Sequence, residues 1–85
     1  MKEQLIRIIA TSTVELLLDE LKKGVEPTHH FLETFTPADI AHNAAAAIYC
    51  LEKGIIPEGH TKEELEQLKE MSMSVYEANQ TKGSL

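Results

Sequence analysis

A single cysteine and no tryptophan stand in these 85 residues, and each scarcity narrows what the chain can be. Cys50 alone cannot close an internal disulfide, and no Cys/His spacing resembles a structural zinc site. Basic residues are few. Eight Lys and Arg against fourteen Asp and Glu give a formal charge of −6, which argues against a nucleic-acid partner, because phosphate neutralisation needs clustered cations. The four glycines stand singly, so there is no glycine-rich phosphate loop. Nothing approaches the roughly 20 apolar residues of a membrane span. The short run Leu5 to Ala10 is already broken by Arg7, so neither a signal peptide nor a membrane partner is expected. A lone thiol fits a reducing compartment, and the expected location is cytoplasmic.

What is present is helical pattern. Thr36-Pro37-Ala38-Asp39 opens the clearest helix: a capping hydroxyl, a proline at the first helical position and an acid near the positive end of the dipole. Lys53-Gly54 closes it. Ile40, Ala44, Ala47, Ile48 and Leu51 are expected on its buried face with Ala41 at the margin, while Ala45 and Tyr49 meet a second neighbour. The four-alanine run offers close helix approach rather than area. A last helix is announced by Thr61-Lys62-Glu63-Glu64, a capping box. It carries an apolar stripe of Leu65, Leu68, Met71, Val75, Tyr76 and Ala78, with Glu63, Glu66, Glu70 and Glu77 opposite.

The first helix is expected over Lys2 to Lys23 and is the unusual one. Leu5, Ile9 and Leu16 form one apolar stripe; Ile6, Ala10, Val14, Leu17, Leu18 and Leu21 form another beside it. The combined arc of roughly 200° is about twice that of an ordinary surface helix. Between this helix and Thr36, Pro27 stops continuation and Thr28 can cap one short helical turn over 29–34, anchored by Phe31, Leu32 and Phe35. The expected fold is therefore all-α: a compact bundle of three main helices plus one short helix after the first. The helical domain spans 1–79, and 80–85 is a frayed polar tail.

One internal echo runs through the chain. Leu21-x-Lys23-Gly24-Val25-x-Pro27-x-x-His30 recurs at an offset of thirty residues as Leu51-x-Lys53-Gly54-Ile55-x-Pro57-x-x-His60. Lysine, then glycine, then proline is the ordinary chemistry of helix exit, and the flanking helices do not match. The echo marks two chain reversals.

Candidate chemistry is sparse. Thr11, Ser12 and Thr13 interrupt the first helix; their hydroxyls can bond back to carbonyls four residues earlier or line a ligand groove. His29, His30 and His42 are the other ligand-binding candidates. Asp39 and His42, three apart on one helix face, are the weak metal candidates; no metal and no cofactor is expected. Cys50, near a helix C-terminus where the dipole disfavours a thiolate, reads as a buried small hydrophobe and not a nucleophile. No catalytic residues are assigned, and enzyme activity is not expected.

In size, acidity and lack of motifs the chain resembles, as a type, the small helical accessory proteins of phages and mobile elements; no particular residues carry the resemblance. A chain this short buries only about 60–65% of its unfolded surface, and with disulfide and zinc excluded, oligomerisation is the remaining aid to stability. The leading expectation is a non-enzymatic interaction module, a homo-oligomer that binds another protein. Its self-association surface lies on the first helix, through Leu5, Ile9 and Leu16 or through Val14 and Leu18. The alternative is an oligomeric binder of a small, nucleotide-like ligand in grooves between subunits. A metal-dependent hydrolase is the third.

Overall fold

The computed structural model describes residues 2–23 and 32–83. Among the described residues three helices make the fold: α1 over Lys2–Lys22, α2 over Pro37–Lys53 and α3 over Lys62–Gly83. No strand occurs among the described residues. The first half of the expected short turn at 29–34, His29, His30 and Phe31, lies outside them. At the end of that segment Leu32 is buried and Phe35 packs against the core.

Helix α2 owes its limits to its own residues. The Thr36 hydroxyl accepts from the Asp39 amide at 3.2 Å and donates to the Asp39 carboxylate at 2.9 Å. At the other end Gly54 takes a left-handed conformation, φ 70°, which costs glycine nothing. Its amide donates to the Leu51 carbonyl and the Ile55 amide to the Cys50 carbonyl, the paired bonds of a Schellman ending. The capping box of α3 forms as expected: the Thr61 amide donates to Glu64 Oε1 at 2.8 Å, and the Glu64 amide to the Thr61 hydroxyl at 3.1 Å. The Thr61 amide, donating to the carboxylate, lowers the Glu64 pKa from its ordinary value.

Helix α3 is longer than its composition suggests. The tail expected to fray from Gln80 continues as helix to Gly83. There the Thr81 hydroxyl bonds back to the Glu77 carbonyl at 3.1 Å.

Helix α2 is central and packs on both α1 and α3, which touch each other less. Helices α1 and α2 run antiparallel: Glu3 reaches Lys53 at 3.9 Å, and Thr13 meets His42. The core is built from Ala10, Val14, Leu17 and Leu18 of α1, from Ile40, Ala44, Ala46, Ala47 and Cys50 of α2, and from Leu65, Leu68 and Val75 of α3. The buried arc of α2 is turned from the expected one. Ile40, Ala44 and Ala47 are buried as expected, but Asn43 and Ala46 are inside as well, while Ile48 is only half-buried, because α2 packs on both α1 and α3. In α3, Ala78 is exposed and Ser72 takes a buried place that the apolar stripe did not include.

Two polar side chains sit in this core, Asn43 and Ser72, and neither the Asn43 amide nitrogen nor the Ser72 hydroxyl has a hydrogen-bond partner. An unpaired buried hydroxyl is costly to desolvate. Ser72→Ala is therefore expected to raise stability by about 1 kcal/mol in urea unfolding. A loss of stability would show that the hydroxyl is satisfied.

Candidate interaction surface

The two apolar stripes of α1 have separate fates. Val14 and Leu18 are buried in the chain's own core, so they are spent within the subunit and offer nothing to a partner. Of the two expected association surfaces only the other remains. Leu5 is 58% exposed, Ile9 44% and Leu16 60%, with Ile8 and Ile6 also on the outside at 62% and 43%. Leu5, Ile9, Ser12 and Leu16 fall at spacings of four, three and four, within an arc of roughly 60° at 100° per residue. That is the spacing of a helix–helix seam. It faces away from the core.

Beside the seam, α1 and α2 leave a groove of about 330 Å³. Ile6, Ile9 and Ala10 form one wall, and Ala45, Ala46, Tyr49 and His42 the other. Ala45 and Tyr49, expected to meet a second neighbour, line this groove, and Ala45 is exposed. The small alanines create the groove, since they bring the two backbones close without filling the margin.

The hydroxyl row of α1 does three different things. Thr11 donates to the Arg7 carbonyl at 2.7 Å, the back-bond expected of it. Ser12 is exposed on the seam. Thr13 Oγ1 lies 2.8 Å from His42 Nε2, so two ligand candidates twenty-nine residues apart do come together. The weak metal candidates each have another partner: Asp39 is tied to Thr36, and His42 to Thr13. Among the described residues no group of three His, Cys, Asp or Glu is placed to hold a metal ion.

Cys50 is fully buried. Desolvation pushes its thiol pKa up, against smaller opposing pulls from the Thr11 side chain and the Arg7 charge. The group is held in the unreactive thiol form.

A polar clasp escaped the sequence reading. The His60 side chain is almost completely buried, its Nε2 2.8 Å from Asp19 Oδ1, while its Nδ1 lies 3.5 Å from Glu64 Oε1 without a hydrogen bond. Lys22 Nζ donates to the Gly59 carbonyl at 3.2 Å. Together they fasten the α2–α3 connection to the end of α1. The signal was His60 in the second copy of the thirty-residue echo, one residue before a helix cap. Sequence alone did not supply its partner, forty-one residues away.

No described helix is long and apolar enough to cross a membrane. No protein-family model matches this chain, and no curated protein or solved structure matches it significantly.

Proposed function

We propose that this chain is a small acidic, non-enzymatic interaction module of the cytoplasm that self-associates through α1 and in that form binds another protein. The observation that carries the reading is the outward seam of Leu5, Ile9 and Leu16, each about half exposed, flanked by Ile6 and Ile8. Together these five side chains present apolar surface on the order of 500 Å², at the upper end for the largest patch on an ordinary monomer. The face left for a further protein is the outer side of α3, where Glu63, Glu66, Glu70 and Glu77 are all exposed and suit a basic partner surface. The buried, unreactive thiol of Cys50 agrees with a non-catalytic role in a reducing compartment.

A second reading has its own observation. His42 lines the α1–α2 groove and is hydrogen-bonded to Thr13, so a small ligand with an apolar body and one polar group would find both kinds of contact there. Sedimentation and thermal shift separate the two. Self-association predicts a sedimenting oligomer at micromolar concentration and a melting temperature that rises with protein concentration. Small-ligand binding predicts a shift with a panel of nucleotides and metabolites, worth about 2.7 kcal/mol at 100 times the dissociation constant. A monomer at all concentrations would sink the first reading.

A further inference from the structure

We propose that the occupant of the α1 seam is a second copy of this chain, docked antiparallel about a two-fold axis that crosses α1 between Ala10 and Thr11. This rests on the self-association reading above and specifies its geometry.

The seam is self-complementary only in that direction. Turning one copy about such an axis sets position i against position 21 − i, so Leu5 of one copy faces Leu16 of the other. Ile9 faces Ser12, both of them exposed in the single subunit. Large meets small at the centre, where two helices must approach closest, and large meets large at both ends. This alternation lets facing helices interdigitate. A parallel pair would instead stack Ser12 on Ser12, leaving a gap in the apolar contact and two hydroxyls desolvated.

Charge points the same way. Outward on α1, Lys2 stands at the N-terminal end and Asp19 and Glu20 at the C-terminal end; Asp19, bonded to His60 on its inner side, is still 54% exposed, and Glu20, paired with Lys23, is 33% exposed. Antiparallel docking brings each Lys2 alongside the other copy's Asp19 and Glu20, whereas parallel docking sets acid beside acid. Complementary flanks fix the register of such pairs. The helix dipoles also oppose each other in the antiparallel pair and align in the parallel one.

The five exposed aliphatics supply on the order of 500 Å² per copy. The groove margin formed by Tyr49, Ala45 and His42 is continuous with them through Ile6 and Ile9, and it enlarges the surface available toward the roughly 800 Å² per partner of a standard stable interface.

A spin label at Lys23→Cys tests the geometry while leaving the apolar seam intact, since Lys23, paired with Glu20 at 3.3 Å, is exposed beyond the end of α1 and Cys50 is buried and stays unlabelled. Position 23 lies about twelve residues from the axis, so the two labels of an antiparallel dimer are roughly 37 Å apart at 1.5 Å rise per residue. A dipolar distance near that value, in a sample that sediments as a dimer, is the expected result. A dimer with labels roughly 10 Å apart overturns the antiparallel arrangement in favour of a parallel one. A dimer whose distance fits neither overturns docking through the seam. A monomer by sedimentation overturns self-association itself, so the two failures remain distinct.

Discussion

Leu16→Glu is expected to give a folded monomer. Leu16 is 60% exposed in the subunit and takes no part in its core. Glutamate is close to leucine in helix propensity. Subunit stability should then change by no more than about 0.5 kcal/mol, as for most surface substitutions. Association is another matter. A two-fold contact loses the side chain twice, and covering a large aliphatic is worth about 1.5–3 kcal/mol each time. Self-affinity should fall by roughly 100-fold or more, a factor of ten for each 1.4 kcal/mol. Circular dichroism should keep its helical signal while sedimentation reports one subunit. Glu70→Lys, on the exposed outer side of α3, should leave assembly as it was. If Leu16→Glu still sediments as the unaltered protein does, the seam is not the contact.

The residue next to it should behave in the opposite way. Leu17→Ala is expected to unfold most of the population at physiological temperature. Leu17 is 2% exposed and packs in the core with Val14 and Leu18. Removing a buried leucine side chain costs about 2–5 kcal/mol, through lost transfer energy and the cavity left behind. Domains near this size rarely draw more than about 3–5 kcal/mol from their core alone. A fall in melting temperature on the order of 15 °C follows, given about 4–8 °C per kcal/mol in a domain of this length. A fall of only a few degrees would mean that Leu17 is not the core residue its burial makes it. Two adjacent leucines, one holding the subunit and one offered outward, thus give α1 its double character.

That difference could not be read from α1 itself. Both stripes are aliphatic and both recur at helical spacing, so periodicity gave their existence but not which one turns inward. Packing decides it. The unbroken series Val14, Leu17, Leu18 and Leu21 meets α2 and α3, and the stripe carrying Ser12 is left outside. The alanine run hid its orientation in a similar way. With alanine at four consecutive positions the pattern has no polar side to exclude, and the bulk of Ile48 drew the expected face toward it. Ile40, Ala44 and Ala47 are inside as expected, but Asn43 and Ala46 join them while Ile48 is only half-buried. The ends of the helices were legible because caps are local: Thr36, Gly54 and the Thr61–Glu64 box each act within a few residues. The Thr13–His42 and Asp19–His60 contacts span twenty-nine and forty-one residues. Only the fold brings them together.

The central position of α2 carries a consequence for how the chain reaches this state. Each large interface joins helices that are consecutive along the backbone, and the pairing of first with last is the smallest. Little loop-closure entropy has to be spent before apolar contact begins to repay it. Chains assembled from such neighbouring pieces collapse in microseconds to milliseconds. The two helical hairpins share α2, and whichever appears first presents the surface on which the remaining helix settles.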